Sequence, residues 1–272
     1  MTEPQTPKQK HCSKLWNGLV IRHNGYVFPC CQLGNRPELA IGNINEQSFE
    51  EIVNGPRVQE MRRQSLDGVL PCYETCDQVK YFTPFELQRP TNPALYADLQ
   101  IEYGELCNVD CVMCWQDRSN RTMLDFETLK ERLPLGSWKI VNAYGGEVFV
   151  MKSAMQHIDL MMENRVPIMI TTNGKALTNP ELAKKVVGGC RALIVSMNAV
   201  TEETHTKVMR PQKPFFHQVL ENVKTLNRLR QEMNSRIWIT GHFTVVKESL
   251  HEFPTFIETF HELGFDEATI GF

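Results

Sequence analysis

The sequence predicts an α/β protein in which a small cysteine-rich α+β domain precedes an open, partial (β/α)6 barrel. From about residue 96 to residue 272, apolar runs of strand length alternate with segments of helical period, which is typical of βαβ units and a parallel sheet. Six strands are too few to close an eight-stranded barrel. Residues 1–95 are rich in proline, glycine, asparagine and cysteine. We therefore predict two domains, 1–95 and 96–272, with the proline-rich segment Thr83–Pro93 as linker.

In the amino-terminal part, the sequence predicts a hairpin followed by a helix. The strand-like runs Leu19–Arg22 and Tyr26–Phe28 flank the dipeptide Asn24-Gly25, which favours tight hairpin turns. Ser48 followed three residues later by Glu51 is the signature of a capping box, so a helix is expected to start there.

Six strands are predicted in the carboxyl-terminal part: Asp98–Tyr103, Lys139–Ala143, Pro167–Thr171, Ala192–Met197, Arg236–Thr244 and Glu267–Gly271. The third and fourth contain continuous apolar runs, as expected of strands buried on both faces. Among the helices between them, Asn179-Pro180 marks one start and Phe215–Met233 has helical spacing. Ser249 and Glu252 predict a capping box before a helix that reaches about Leu263.

The composition narrows the class of protein. The net charge of −3 gives no support for binding nucleic acid or an anionic membrane by electrostatics. The basic pairs Arg62-Arg63 and Lys184-Lys185 are expected on solvated helix faces. No apolar segment has the length of a signal peptide or of a membrane span, so we expect a cytoplasmic protein. Nine cysteines in a reducing compartment favour metal binding or catalysis over disulfides.

Three of the cysteines, Cys107, Cys111 and Cys114, lie just after the first predicted barrel strand. Loops at the carboxyl ends of parallel strands build active sites in barrels. Three thiolates on one loop can hold three irons of a [4Fe–4S] cluster and leave the fourth iron open. A zinc site that lacks one ligand, or a chance spacing, is the alternative.

The CxxxCxxC spacing after the first strand of a partial barrel resembles the radical S-adenosylmethionine (SAM) superfamily. The resemblance implies that SAM binds the open iron, that the reduced cluster cleaves SAM, and that the 5′-deoxyadenosyl radical abstracts hydrogen from a substrate. Gly145-Gly146-Glu147, after the second strand, resembles the family motif that binds the amino group of SAM. Two positions depart from the pattern: Met113 replaces the common aromatic residue against the adenine, with Trp115 nearby, and Val148 replaces a proline.

Further candidate contacts to SAM follow the next strands. Thr172-Asn173 resembles a family turn after the third strand, and Ser196 and Asn198 lie where the family has polar contacts to the ribose and carboxylate. Arg210 resembles an arginine near that carboxylate. Each also has a plain structural interpretation, as a turn, a strand end or a surface arginine, and their shared order along the chain favours the functional one.

The amino-terminal cysteines resemble those of the SPASM and twitch domains, which carry auxiliary iron–sulfur clusters. The resemblance implies one auxiliary [4Fe–4S] cluster held by Cys12, Cys30, Cys72 and Cys76, with Cys31 spare or replacing Cys30. A zinc site is the alternative. The order departs from the usual one, because the cysteine-rich part precedes the barrel. The remaining Cys190 is expected to be structural.

The resemblance therefore predicts a radical SAM enzyme, of oxidoreductase type, with a ribosomal peptide or protein as substrate. A flavodoxin- or ferredoxin-type protein is the expected reductant, and neither nucleic acid nor a membrane is expected as partner. One alternative is a dehydrogenase of a small aminocyclitol or sugar. Another is a non-catalytic iron–sulfur module for electron transfer, which would not bind SAM.

Overall fold

The computed structural model describes residues 9–34, 36–69, 76, 79–82, 98–136 and 138–272. Its strands are β1 (Gln9–Cys12), β2 (Gly18–Ile21), β3 (Tyr26–Phe28), β4 (Gly42–Asn43), β5 (Val79–Phe82), β6 (Asp98–Glu102), β7 (Ile140–Tyr144), β8 (Ile168–Thr172), β9 (Ala192–Ser196), β10 (Trp238–Thr244) and β11 (Glu267–Gly271). Its α-helices are α1 (Lys14–Asn17), α2 (Phe49–Asn54), α3 (Pro56–Leu66), α4 (Phe126–Arg132), α5 (Lys152–Glu163), α6 (Pro180–Gly189), α7 (Glu202–Met209), α8 (Phe216–Glu232) and α9 (Phe253–Thr259).

The carboxyl-terminal part has the predicted architecture. Strands β6 to β11 lie side by side in chain order, and every neighbouring pair is parallel. Alternate side chains of these strands, such as Val141, Ile170 and Leu193, are fully buried. The predicted strands agree with the observed ones to within two residues, because runs of apolar and β-branched residues mark buried strands.

The amino-terminal strands join the barrel sheet. Strand β2 pairs in parallel with β6, with Gly18 opposite Asp98 and Ile21 opposite Ile101. Strands β3 and β4 continue the sheet in antiparallel fashion, which gives nine strands in the order β11-β10-β9-β8-β7-β6-β2-β3-β4. A separate ladder pairs β1 with β5. The predicted linker Thr83–Pro93 lies outside the described residues, so the boundary at residue 95 stays a prediction.

Two local predictions from turn and cap residues are confirmed. The β2–β3 hairpin turns at Gly25, whose φ of +86° is in the left-handed region that glycine adopts most readily. At the start of α2, the Ser48 amide donates to Glu51 Oε2 over 2.8 Å, and the Glu51 amide donates to Ser48 Oγ over 3.3 Å. This reciprocal pair is the predicted capping box.

The capping box predicted at Ser249 is wrong. Ser249 makes no side-chain cap, a 3-10 turn follows at Leu250–Glu252, and α9 ends at Thr259, before Leu263. The reason is that the Glu252 carboxylate accepts hydrogen bonds elsewhere, from the amides of Val200 and Thr201 at 2.5 and 3.2 Å. Because the Glu252 carboxylate is bonded to this distant segment, it does not complete a capping box with Ser249.

The prediction of a solvated Arg62 is also wrong. Its side chain is buried in α3, donates from Nε to the Leu15 carbonyl oxygen over 2.9 Å and lies over the Trp16 ring. The guanidinium thus joins α3 to α1, and its long stem packs where a shorter residue would leave space. Among the helices described, none is long and apolar enough to cross a membrane.

Candidate active site

A cavity of about 360 Å³ opens where four neighbouring barrel strands end. The last residues of β7, β8, β9 and β10 all line it: Tyr144, Thr172, Ser196 and Thr244. Most of the predicted site residues share this cavity: Cys107, Cys111, Cys114, Met113, Trp115, Gly145, Gly146, Thr172, Asn173, Ser196 and Asn198. Glu147 and Arg210 are not among its lining residues.

The three-cysteine loop is fixed to the end of α7 by its backbone. The Asp110 amide donates to the Met209 carbonyl oxygen over 3.0 Å, and the Val112 amide donates to that of Val208 over 2.9 Å. Arg118 holds the loop from the other side, through the Val109 carbonyl oxygen at 3.1 Å and an ion pair with Asp110. The loop that carries the thiols is therefore anchored at both flanks.

The three thiols lie close enough to influence one another. Burial, together with the neighbouring Cys107 and Cys114, raises the pKa of Cys111 to about 12. Burial also raises the pKa of Cys107. Adjacent thiolates in such a place repel one another unless a cation compensates their charge. Three cysteines beside an open cavity are therefore a donor set that fits an iron centre with one iron left free.

The two glycines after β7 allow the backbone to pass close to the cysteine loop. Gly145 and Gly146 have φ angles of +100° and +47°. A Cβ on Gly146 would lie 2.1 Å from the carbonyl oxygen of Leu106, which no side chain tolerates. The Glu147 amide then donates to the same oxygen over 2.8 Å. The glycines thus bring this turn and the cysteine loop together at the cavity.

Glu147 is fully buried behind the cavity. Its Oε1 accepts from the Thr172 hydroxyl and its Oε2 from the Asn173 amide, both over 2.8 Å. Burial raises the pKa of Glu147 to about 6, although these donors favour the charged form. In this arrangement Glu147 fixes the turn after β8. The contact between Glu147 and the amino group of SAM stays a prediction.

Residues at the ends of β8 and β9 connect the remaining parts of the cavity. Asn173 Nδ2 donates to Asn108 Oδ1 on the cysteine loop over 2.7 Å. Asn198, with a φ of +56°, accepts from the Thr244 amide over 2.8 Å. Its Nδ2 also lies 3.2 Å from the Met209 sulfur. Arg210 ends α7 and is exposed, and its proposed contact with the SAM carboxylate likewise stays a prediction.

Sequence reasoning missed several lining residues, of which Gln116, Tyr144 and Met209 make the clearest contacts. Gln116 bridges Glu102 and the Gly146 amide, at 2.6 and 2.9 Å. The Met209 sulfur lies 3.5 Å from the Cys111 sulfur. Tyr144 had a usable signal, since it lies between a predicted strand and the Gly-Gly turn. The contacts of Gln116 depend on the tertiary fold and leave no mark in the local sequence.

The amino-terminal cysteines fall into two environments. Cys12 and Cys30 are buried in the core, and Cys76 is half-buried. Burial raises the pKa of Cys12, and the nearby Cys76 adds a smaller increase. Cys31 is exposed. Cys72 lies outside the described residues. Cys30 and Cys31 both line a second cavity of about 400 Å³.

Cys190 lies apart from both groups. It precedes β9, at the end of the strand opposite the cavity, and is buried there. Burial raises the pKa of its thiol to about 12, so the thiol stays protonated. This position agrees with a structural role.

An open parallel barrel with a three-cysteine loop beside a cavity at its strand ends is the arrangement expected of a radical SAM iron–sulfur enzyme. Residues 101–269 match the family model of the radical SAM superfamily, and residues 12–78 match SPASM, an iron–sulfur cluster-binding domain. The chain therefore belongs to the radical SAM superfamily, and its SPASM domain precedes the barrel. No curated protein sequence matches the chain.

Two crystal structures of SuiB from Streptococcus suis share the fold. SuiB bound to precursor peptide SuiA has a TM-score of 0.54 at 13% identity, over 96% of this chain and 63% of that one. SuiB bound to S-adenosylmethionine also has a TM-score of 0.54, at 14% identity, over 81% and 52% of the two chains. This chain thus spans less than two thirds of the SuiB chain.

Membership of the family implies a [4Fe–4S] cluster and SAM as cofactors, and the SPASM domain implies auxiliary iron–sulfur binding. The residues present fit both groups. Three clustered thiols border a cavity large enough for a small ligand, and further thiols lie in the amino-terminal core. The predictions of family, fold class and cofactors are confirmed.

Proposed function

We propose that this chain is a radical SAM enzyme that modifies a ribosomal peptide or protein, with the SAM-binding cluster held by Cys107, Cys111 and Cys114. The observation that carries the proposal is the shared cavity: the three thiols border the same space as residues from four strand ends. When bound, the cluster and SAM supply a 5′-deoxyadenosyl radical.

The residues of the chain bind and orient SAM in this proposal. The backbone of Gly145 and Gly146 offers polar groups at close range, because neither residue carries a side chain that would block approach. Thr172, Asn173, Ser196 and Asn198 provide hydroxyl and amide groups for the ribose and the amino-acid part. Apolar side chains on the cysteine loop, including Met113 and Trp115, provide contact for the adenine.

We further propose that Cys12, Cys30, Cys72 and Cys76 hold one auxiliary [4Fe–4S] cluster. Cys12 and Cys30 are both buried, and Cys76 lies near Cys12, which supports this set. Cys31 is exposed, which favours the buried Cys30 as the ligand. The auxiliary cluster would accept an electron from the substrate radical and make the net reaction an oxidation.

The peptide substrate is proposed from two supports. The fold of SuiB, a protein captured with a precursor peptide, extends over nearly the whole of this chain. The SPASM domain also resembles those of enzymes that mostly act on peptides and proteins. A flavodoxin- or ferredoxin-type reductant remains part of the proposal, as does a cytoplasmic site of action. The dehydrogenase of an aminocyclitol or sugar remains the second candidate.

The first experiment counts iron and sulfide after anaerobic reconstitution. Two [4Fe–4S] clusters predict about eight irons in the wild type and about four in a Cys107→Ala/Cys111→Ala/Cys114→Ala variant. A Cys190→Ala variant is the control for loss of a buried cysteine, and it should keep about eight. Cleavage of SAM is then tested by measuring 5′-deoxyadenosine, which the wild type should release and the triple variant should not.

The outcomes separate the candidates. A wild type that binds no iron contradicts the proposal as a whole. A triple variant that keeps no iron contradicts the auxiliary cluster. Cleavage of SAM that leaves candidate peptides unchanged, but oxidises a cyclitol or sugar, favours the dehydrogenase. Iron binding without any binding of SAM favours the electron-transfer module.

A further inference from the structure

Arg22, on the turn of the amino-terminal hairpin, lies against the proposed SAM cavity. Its Nε is 2.9 Å from Glu102 Oε2 at the end of β6. Its guanidinium lies 4.7 Å from the centre of the Trp115 ring, and it partly offsets the burial that raises the pKa of Tyr144. Trp115 and Tyr144 both line the cavity. A residue outside the barrel thus touches two of its lining side chains.

A chain of contacts leads from Arg22 to a third lining group, the Gly146 amide. Glu102 uses Oε2 for Arg22 and Oε1 for Gln116, whose Nε2 donates over 2.6 Å. The other end of the Gln116 amide accepts from the Gly146 N–H over 2.9 Å. Because a side-chain amide has a fixed orientation once both ends are bonded, Glu102 sets the direction of the Gln116 side chain and thereby holds the Gly-Gly turn.

The cluster around Arg22 contains two carboxylates, one guanidinium and one imidazole. Glu102 is fully buried and Glu105 nearly so. His23 lies between them, with Nδ1 at 3.3 Å from Glu102 and Nε2 at 3.8 Å from Glu105. These three residues have the donor atoms of a cation site, but the Arg22 guanidinium already faces the Glu102 carboxylate. We therefore interpret the cluster as a cation–carboxylate network that joins hairpin and cavity.

We propose that Arg22 is a positioning residue of the SAM site, which fixes Trp115 directly and the Gly146 amide through Glu102 and Gln116. The inference rests on the proposed function, because it assumes that SAM binds in this cavity. It assigns to the SPASM part of the chain a role in SAM binding that is separate from holding an auxiliary cluster.

The test compares Arg22→Ala with a matched control in the reconstituted protein. The control is Lys14→Met, which removes another ion pair between the amino-terminal segment and β6, Lys14 Nζ to Asp98 Oδ2 at 2.6 Å. Arg22→Ala should raise the dissociation constant for SAM by about ten-fold, which corresponds to about 1.4 kcal/mol. Lys14→Met should stay within about two-fold. Arg22→Lys, which keeps the charge but loses the planar stacking group, should fall between them.

Two further readouts separate positioning from a general loss of structure. In the cluster-free protein, hydrogen exchange of the amides at residues 145–147 should quicken in Arg22→Ala and not in Lys14→Met. In addition, Gln116→Leu should weaken SAM binding, and its effect should not add to that of Arg22→Ala, because both act on the same chain of contacts. If Arg22→Ala fails to fold, this comparison is made with Arg22→Lys.

Failure of the inference differs from failure of the proposed function. If the wild type binds SAM and Arg22→Ala binds it with equal affinity and unchanged exchange at 145–147, Arg22 has no positioning role. If the effects of Arg22→Ala and Gln116→Leu simply add, the path through Gln116 is wrong. If the wild type itself binds no SAM, the proposed function has failed before Arg22 is tested.

Discussion

Cys30 and Cys31 are adjacent in the chain, but their side chains have different surroundings. Cys30 is buried in the same core as Cys12, whereas Cys31 is exposed. Sequence alone left open which of the two is a ligand, since spacing treats neighbours as equivalent. The two thiols differ in burial, and we propose the buried Cys30 as the ligand.

The first prediction concerns these two thiols. Cys30→Ala should reduce the iron content of the reconstituted protein from about eight to about four, whereas Cys31→Ala should keep about eight. Iron and sulfide analysis checks both. A loss of iron in Cys31→Ala with full retention in Cys30→Ala would reverse the assignment.

Gly146 carries a second prediction at the scale of a single residue. An alanine there has to adopt a φ of +47° and places its Cβ on the Leu106 carbonyl oxygen. We expect Gly146→Ala to lower the free energy of unfolding by about 2 kcal/mol or more. The control is Gly136→Ala, where a Cβ meets nothing within 4 Å. Urea unfolding of the cluster-free proteins measures both, and equal midpoints would contradict the close approach.

His23 makes stability depend on pH. Its hydrogen bond to Glu102 raises the pKa of the imidazole above the ordinary value of 6.5, with further contributions from Glu105 and an opposing one from Arg22. The folded state therefore binds the proton more tightly than the unfolded state. This contribution to stability is fully present below pH 6.5 and is lost as the pH rises through the folded pKa.

The measurement is the difference in unfolding free energy between the wild type and His23→Gln, taken at pH 6 and pH 8. We expect the larger difference at pH 6. His217→Gln serves as control, because His217 is a surface histidine, and its difference should not change with pH in the same way. A larger difference for His23→Gln at pH 8 would show that burial lowers the pKa of His23 by more than the Glu102 carboxylate raises it.

At the scale of elements, the sequence predicts the positions of strands best where a strand is a run of buried apolar residues. Strands β7 to β10 were placed to within two residues, because their apolar runs indicate burial directly. The Ser48 cap was found because all its partners lie within three residues of one another. The Ser249 cap was wrong for the opposite reason: its motif is complete, but Glu252 bonds to a segment about fifty residues away.

Glu252 therefore carries a prediction about how two elements are joined. Its carboxylate accepts from the Val200 amide and from the amide and hydroxyl of Thr201, which caps α7. Glu252→Ala leaves these partly buried donors without this partner and should lower the free energy of unfolding by about 1 kcal/mol. The exposed Glu248→Ala should change it by less than about 0.5 kcal/mol. Urea unfolding compares them, and equal losses would contradict this role.

For the whole molecule, the main result that sequence did not predict is the pairing of β2 with β6. Each strand was recognised from its own residues, but pairing between distant strands depends on the tertiary fold and has no local signature. The residues of the candidate site likewise divide into those that local sequence identifies and those that only the tertiary fold identifies. Motifs found the residues on the cysteine loop and at strand ends, whereas Arg22 and Gln116 act through contacts that only the folded chain makes.

The shared sheet leads to a prediction about cutting the chain. If a protease site introduced between residues 83 and 97 is cleaved, the two pieces should remain together, because β2 and β6 are hydrogen-bonded neighbours and Arg22 pairs with buried Glu102. Size-exclusion chromatography of the cleaved protein tests this. Pieces that separate under native conditions would show that the two parts fold as independent units.

The position of β2 beside β6 also orders events during synthesis. The amino-terminal hairpin leaves the ribosome first, but the edge of β2 that later pairs with β6 has no partner until β6 has emerged. At about 5–20 residues per second, that interval is on the order of ten seconds. Throughout it, an apolar strand edge stays unpaired, and Cys30 and Cys31 follow the hairpin in the chain. Until the first barrel strand has been made, this edge is therefore open to pairing with another chain.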